Sequence, residues 1–241
     1  MIAGDRIWAV VPVKRFSAAK ARLASVLNTG ERSELARIMF EDVLDPLEQC
    51  HDIFAGVLVI TSDPEAAALV RRRGATVLSD MADHGINAAI TRAVQYIQAH
   101  AGDGLMVVPS DIPQITRNAF VQAAAAIATA PTLAIAAAVD DGGTNLFACQ
   151  PIGAVPPLFG PCSFDRHRRA AIQAEIAVQV LRLLELSLDI DRPENLLTFL
   201  TLESSTRTHE FLSRIDVVER IERCRDAANG ALDRTIVRVS G

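Results

Sequence analysis

The chain has 241 residues, of which 50% are hydrophobic and 22% charged, and its formal net charge is −5. This composition predicts a globular protein with ample material for a core, built as one large domain or as one domain with an appendage. The negative charge provides no general attraction to nucleic acid or to an anionic membrane, so we expect neither as a partner.

Targeting and redox signals are consistent with a cytoplasmic protein. The first apolar run is short and precedes its basic residues, so we expect no signal peptide, and no window approaches the roughly 18–20 apolar residues of a membrane span. The four cysteines lack the paired spacing of a metal site, and we expect reduced, mostly structural thiols: Cys50, Cys149, Cys162 and Cys224.

Short apolar runs alternate with helical patterns along the chain. The runs predict strands at 7–13, 56–61, 75–79, 104–110, 132–139 and 145–150, several of them apolar on both faces. The intervening patterns predict helices at 31–50, 63–74, 86–100 and 116–130, with later helices starting at Ser163 and at Pro193. This order predicts an α/β fold of three layers, with a mostly parallel, doubly wound sheet.

The end of the chain follows a different pattern. Residues 186–191 predict a further strand, residues 208–230 predict one amphipathic helix, and residues 234–241 predict a terminal strand. We expect this tail to serve packing or oligomerisation, for example in a homodimer, rather than chemistry.

A basic cluster follows the first strand, at the edge of the sheet where doubly wound folds bind ligands. Its members lie within ten residues and are Lys14, Arg15, Lys20 and Arg22. Cations at a helix start oppose the helix dipole, so the cluster favours a bound anion; the alternative is a solvated helix face. The segment has no glycine and is not a Walker loop.

Carboxylates follow the other strands at Asp63, Asp80, Asp111, Asp140, Asp141, Asp189 and Asp191. Asp111, in "VVPSDIP", suits Mg²⁺, which takes one or two protein carboxylates; the alternative is a turn or helix-cap aspartate. Asp191 precedes the helix of "RPENL" and could cap it, which makes Asp189 the better metal candidate.

A second candidate anion site lies around the start of the helix at Ser163. The backbone amides from Gly160 to Ser163 and the helix N-terminus predict a nest for a phosphate or a carboxylate. His167 in this helix is, taken alone, more often a surface or packing histidine than a general base. At the start of another helix, Gly85 and Asn87 could contact a base or ribose, or simply belong to an ordinary capped helix.

Four segments, in this order, resemble the guanylyltransferases of coenzyme F-420 biosynthesis. They are "VVPVKRFSAAKARL", "PSDIP", "GGTNLF…FGPCSFDRH" and "LDIDRPENL", and the resemblance covers about residues 7–200. It implies a glycosyltransferase-A-like nucleotidyltransferase domain at 1–200 and a helical appendage at 201–241. The implied reaction transfers GMP from GTP to 2-phospho-L-lactate, phosphoenolpyruvate or 3-phospho-D-glycerate and releases pyrophosphate, with Mg²⁺ as cofactor.

The resemblance also implies roles for individual residues. It implies that the GTP phosphates are bound, and catalysis is carried out, by Lys14, Lys20 and Arg22. It implies that the nucleotide site as a whole consists of Pro12, Val13, Lys14, Lys20, Asn87 and Ser110. It also implies that the phospho-acid is bound by Thr144, Gly160 and Ser163, and that the metal is bound by Asp111, Asp189 and Asp191. Pro161-Cys162 departs from the family, where a small residue such as glycine often precedes the serine.

Two alternatives remain open from the sequence. The chain could be another nucleotidyltransferase, such as a molybdenum-cofactor guanylyl- or cytidylyltransferase, although those usually carry a glycine-rich first loop. It could also be a non-catalytic nucleotide-binding regulatory protein that kept the fold.

Overall fold

The computed structural model describes residues 6–79, 85–139 and 142–226, and the strands in these residues form one sheet. The strands are β1 Ile7–Val13, β2 Phe54–Thr61, β3 Thr76–Ser79, β4 Gly104–Val107, β5 Thr132–Ala137, β6 Thr144–Gln150 and β7 Ala177–Val180. Their order is β3-β2-β1-β4-β6-β5-β7. Only β6 runs antiparallel to its neighbours, so the prediction of a mostly parallel sheet is confirmed.

Helices cover both faces of the sheet and complete the three predicted layers. They are α1 Thr29–Glu48, α2 Pro64–Arg72, α3 Ile86–Ala99, α4 Arg117–Ala126, α5 Ser163–Gln173, α6 Pro193–Leu200, α7 Arg207–Arg214 and α8 at 217–226. One face packs on α1, α2 and α4 through residues such as Phe40 and Phe120, and the other on α3 and α5 through Ile90 and Ala171. Successive β1 residues alternate between the two clusters, which is why the strand is apolar throughout.

The structure differs from the strand predictions in several places. Residues 186–191 are not a strand: Leu184–Leu186 form a 3₁₀ turn, and the following residues are irregular. The edge strand β7 was not predicted, because its four residues are mostly exposed and lack an apolar pattern. The predicted strands at 104–110 and 132–139 end earlier, at Val107 and Ala137.

The tail is two helices rather than the single helix predicted at 208–230. Asp216 lies between α7 and α8 with φ 50°, a left-handed conformation that interrupts a right-handed helix. The predicted strand at 234–241 lies outside the described residues. Both helices pack on α1 and α6 through a third hydrophobic cluster, which includes Leu35, Phe199, Phe211 and Val217. The division of the chain at residue 200 stays a prediction.

Other sequence-level expectations concern thiols and membranes. All four cysteines are free, and burial raises the pKa of the Cys50 and Cys149 thiols to about 11. In the described part of the chain, no helix is both long and apolar enough to cross a bilayer.

The strand order determines where the chemistry can lie. From β1 the chain proceeds through β2 to β3 on one side, and then returns to place β4 on the other side of β1. A crevice forms outside the carboxyl ends of strands at such a reversal. The segments after β1 and β4 therefore border one crevice.

Candidate active site

A cavity of about 470 Å³ opens at the carboxyl ends of β1, β2 and β4. Its lining brings together most of the residues predicted for the nucleotide and the metal: Pro12, Val13, Lys14, Lys20, Arg22, Ser110, Asp111 and Asp191. It also includes residues without a predicted role, such as Phe16, Met39, Ile60 and Ile86. Ile60 lies near the carboxyl end of β2, at the same edge of the sheet. The direction of β2 is the sequence signal that could have identified it as a cavity residue.

The basic segment lies on two 3₁₀ turns, Phe16–Ala18 and Ala21–Leu23, and not at the start of a helix as predicted. Helix α1 begins only at Thr29, so the dipole of that helix does not act on these cations. Lys20 between the turns has φ 54°, and this left-handed residue redirects the chain. Asp63 anchors the segment by accepting the Phe16 N–H at 2.9 Å.

The cations differ in how their charge is compensated. Lys20 has a side chain that is only 7% exposed, and its Nζ lies 2.8 Å from Asp111 Oδ2 and 3.8 Å from Asp191 Oδ1. Arg22 Nη1 lies 2.6 Å from Asp191 Oδ2. Lys14 is exposed and forms no ion pair with any residue in 6–79, 85–139 or 142–226, so its charge is available to a ligand.

Asp189 lies beside this group because the Ile190 N–H donates to the carbonyl oxygen of Asp111 at 3.0 Å. Burial, together with the nearby charge of Asp111, raises the pKa of Asp189. Asn145 at the start of β6 donates a hydrogen bond of 3.4 Å to Asp189 Oδ1. A divalent cation would stabilise the ionised form of Asp189, and with Asp111 beside it the two carboxylates offer oxygen ligands.

The carboxylates of Asp111 and Asp189 fit the way in which proteins usually bind Mg²⁺. Among the described residues, no group of three or more His, Cys, Asp or Glu could hold a metal ion alone. Mg²⁺ commonly takes one or two carboxylates and completes its octahedron with phosphates and water, so Asp111 and Asp189 suffice. Asp191 is ion-paired with Arg22.

The alternative that Asp191 caps α6 is wrong. The N-cap is Arg192, and the side chain of Asn195 folds back to accept the backbone N–H groups of Arg192 and Asp191, at 2.7 and 3.2 Å. The side chain of Asp191 points instead to the cations described above.

The residues predicted for the phospho-acid also come together. Thr144 opens β6, which is antiparallel, so its first residue lies at the same sheet edge as the ends of the parallel strands. Thr144 Oγ1 lies 2.9 Å from Ser163 Oγ at the start of α5. Gly160 and Cys162 have φ values of 124° and 53°, which glycine adopts readily and cysteine rarely. The Ser163 N–H donates to Gly160 O, so that amide serves the loop itself.

Asn87 supports this loop with its side chain. Its Oδ1 accepts the Phe159 N–H at 2.7 Å, and its Nδ2 donates to Phe159 O at 3.1 Å. Gly85 and Ile86, just before it, line the cavity instead. A nucleoside contact of Asn87 stays a prediction. Asp80, Asp140 and Asp141, named from the sequence as strand-end carboxylates, lie outside the described residues.

Comparison with known proteins gives the relationships of the chain. Residues 7–230 match the family model described as "Guanylyl transferase CofC like", so the match extends about 30 residues beyond the sequence resemblance and takes in α7 and α8. The chain is 36% identical over 190 residues to the phosphoenolpyruvate guanylyltransferase of Sphaerobacter thermophilus, covering 78% of this chain and 89% of that protein. It is 32% identical over 207 residues to the 2-phospho-L-lactate guanylyltransferase of Methanothermobacter thermautotrophicus, covering 86% and 90%.

Solved structures are similar in fold at low sequence identity. A proposed nucleotide-diphospho-sugar transferase from Desulfovibrio desulfuricans superposes with a TM-score of 0.74 at 17% identity, covering 90% of this chain and 98% of that one. A nucleotidyl transferase from Methanothermobacter has a TM-score of 0.60 at 19% identity, covering 88% and 100%. These similarities confirm the predicted nucleotidyltransferase fold. The match of residues 7–230 to the family model, together with the relatives at 36% and 32% identity, shows that the chain belongs to the family of CofC-like guanylyl transferases.

Proposed function

We propose that this chain transfers GMP from GTP to the phosphate of a three-carbon phospho-acid and releases pyrophosphate. The observation that carries the proposal is the cavity at the β1–β4 reversal, where Lys14, Lys20 and Arg22 lie with Asp111. The relatives' names supply the acceptor class, namely phosphoenolpyruvate and 2-phospho-L-lactate. These two acids and 3-phospho-D-glycerate are the acceptors to test. Phosphoenolpyruvate comes first, because the chain is 36% identical to the phosphoenolpyruvate enzyme and 32% identical to the 2-phospho-L-lactate enzyme.

In this reaction an acceptor phosphate oxygen attacks the α-phosphorus of GTP. The new bond joins this oxygen to the α-phosphorus, and the bond from the α-phosphorus to the α–β bridging oxygen breaks as pyrophosphate leaves. The acceptor phosphate is ionised at neutral pH, so no side chain has to remove a proton. The two carboxylates that line the cavity, Asp111 and Asp191, are ion-paired with Lys20 and Arg22. Catalysis then rests on in-line positioning and on neutralisation of the leaving charge.

Lys14, Lys20 and Arg22 are proposed to bind the triphosphate and to neutralise the departing pyrophosphate. Lys14 has no counter-charge among the described residues and is the first contact for a phosphate. Lys20 is already held by Asp111, so it is positioned before the substrate arrives. A preorganised charge of this kind costs no rearrangement in the transition state.

Asp111 and Asp189 are proposed to hold Mg²⁺. The bound ion supplies Lewis acidity and a template for the phosphate oxygens. Chelation with excess EDTA should abolish pyrophosphate release, and added Mg²⁺ should restore it. Asp111→Asn and Asp189→Asn should each raise the Mg²⁺ concentration needed for half-maximal activity. Full activity in EDTA would contradict the metal assignment.

The experiment that tests the function is pyrophosphate release by the purified protein with Mg²⁺ and GTP, with each of the three phospho-acids in separate reactions. Reactions without acid measure simple GTP hydrolysis, and ATP and CTP in place of GTP test the base. Release that requires both GTP and one acid is expected. Folded protein that binds GTP but releases no pyrophosphate with any acid would instead support the non-catalytic, nucleotide-binding alternative.

A further inference from the structure

His167 in α5 is fully buried, and both of its ring nitrogens are hydrogen-bonded. Nε2 lies 2.8 Å from the backbone nitrogen of Leu158, and Nδ1 lies 3.2 Å from Thr144 Oγ1. The ring packs on Phe147 and Phe159, with centroids 4.8 Å away in both cases. The imidazole therefore joins α5, the start of β6 and the loop that precedes α5.

The chemistry of the partners determines where the imidazole proton lies. The Leu158 N–H can only donate, so Nε2 accepts and carries no proton. Burial lowers the pKa of His167 to about 4, so the ring is neutral near pH 7 and its one proton lies on Nδ1. The Nδ1–H then donates to Thr144 Oγ1.

Counting the hydroxyl hydrogens shows how the hydrogen bond between Thr144 and Ser163 is directed. The Thr144 and Ser163 hydroxyls carry one hydrogen each and share a single hydrogen bond of 2.9 Å. Thr144 Oγ1 already accepts from His167, so its own hydrogen is free to donate to Ser163 Oγ. One hydroxyl hydrogen of the pair then has no acceptor among the described residues. When His167 donates to Thr144 and Thr144 donates to Ser163, the hydrogen without an acceptor is the hydroxyl hydrogen of Ser163.

We propose that His167 is a positioning residue for the phospho-acid. Without touching the acceptor, it sets the hydrogen-bond direction at Thr144 and Ser163, so that the pair offers a hydroxyl hydrogen to an ionised oxygen. Hydrogen bonds to ionised oxygens are roughly twice as strong as neutral ones, so a fixed donor favours a phosphate or carboxylate. The inference rests on the proposed function, because it takes Thr144 and Ser163 as acceptor-binding residues.

The tautomer can be measured without any turnover. In protein labelled with ¹⁵N-histidine at pH 7, the ring shifts of His167 should show a protonated Nδ1 and an unprotonated Nε2. The spectrum of His167→Gln identifies the signal among the five histidines. A protonated Nε2, or a doubly protonated ring, would overturn the inference.

Two substitutions separate the two hydrogen bonds of His167. Asparagine can place an N–H near the position of Nδ1, whereas glutamine can place an oxygen near Nε2, where it accepts from Leu158. His167→Gln should raise the KM for the acceptor about 10- to 100-fold and leave the KM for GTP unchanged, since it removes the donor that directs Thr144. His167→Asn should keep the acceptor KM within about threefold of the wild type. Equal acceptor KM values in the two variants, or a parallel rise in the KM for GTP, would show that His167 only supports the fold.

Further variants control for stability and for coupling. His100→Gln makes the same chemical change at the exposed end of α3 and should leave both KM values unchanged. Thr144→Val removes the linking hydroxyl, so adding His167→Gln to it should raise the acceptor KM no further; effects that multiply would overturn the inference. Wild-type protein that turns over no acid defeats the proposed function instead, and the binding constant of phosphoenolpyruvate for His167→Gln against His167→Asn then decides the inference.

Discussion

Lys20 is the residue on which the cavity's charge arrangement depends. Its Nζ lies between Asp111 and Asp191, in a side chain that is 7% exposed, at a left-handed backbone position. The sequence predicted the cation but not its partners, because Asp111 lies 91 positions further along the chain and only the fold brings it near. The same applies to His167, whose partners come from β6 and from a loop.

Replacing Lys20 tests the proposed charge neutralisation. Lys20→Ala should lower kcat for pyrophosphate release by about 100- to 1,000-fold, as expected for removal of a preorganised transition-state cation. Arg6→Ala is the control, since Arg6 lies before β1, at the opposite end of that strand, in an exposed ion pair with Asp103. Steady-state kinetics on folded variants decides the matter. A kcat for Lys20→Ala within about threefold of the wild type would remove Lys20 from the mechanism.

His167 should also make stability depend on pH. Its folded-state pKa is about 4 and its ordinary value is 6.5, so between these values the unfolded chain binds more protons. The contribution of neutral His167 to the free energy of unfolding is therefore fully present above pH 6.5. About 3 kcal/mol of it is lost as the pH falls from 6.5 through 4.

Urea unfolding of the wild type and of His167→Gln at pH 7.5 and pH 4.5 measures this dependence. The difference in unfolding free energy between the two proteins should shrink at the lower pH, because the variant lacks the titrating group. A difference that is the same at both pH values would contradict the assigned protonation state.

At the scale of elements, most helices and strands follow from local patterns. Helix α1 has a capping box, in which Asn28 Oδ1 accepts the Glu31 N–H and Glu31 accepts the Asn28 N–H. The β1 run is apolar because both of its faces are covered. What local patterns could not supply is the direction of β6, since only pairing with β4 and β5 makes that strand antiparallel. The break at Asp216 was missed because aspartate carries no strong stop signal for a helix.

Docking of α7 on α1 depends on one buried carboxylate. Asp42, 7% exposed, accepts the Thr208 N–H and Oγ1–H at 2.8 and 2.7 Å and the Arg207 N–H at 3.1 Å. Asp42→Ala should lower the free energy of unfolding by about 3 kcal/mol, because it leaves buried donors without an acceptor. Asp45→Ala, which removes a more exposed partner of Arg73 and Arg207, should cost about 1 kcal/mol or less. Urea unfolding that gives equal costs would contradict this account of the docking.

At the scale of the whole molecule, the site exists because three separate parts of the chain end at one sheet edge. The parallel strands deliver the basic segment and Asp111, the antiparallel β6 delivers Thr144, and the segment before α6 delivers Asp189. The sequence predicted nearly all of these residues through strand ends and through its family resemblance. It could not predict their pairing, which depends on long-range contacts. The homodimer stays a prediction.

The central claim is that the α-phosphate of GTP moves to the phospho-acid, and radioactive label follows that phosphorus directly. With [α-³²P]GTP, Mg²⁺ and phosphoenolpyruvate, 2-phospho-L-lactate or 3-phospho-D-glycerate, the label should appear in a new product that contains both the guanosine and the acid. With [γ-³²P]GTP, it should appear only in pyrophosphate. Label from the γ-phosphate in the acid product, or α-label found only in free GMP with every acid, would contradict guanylyl transfer.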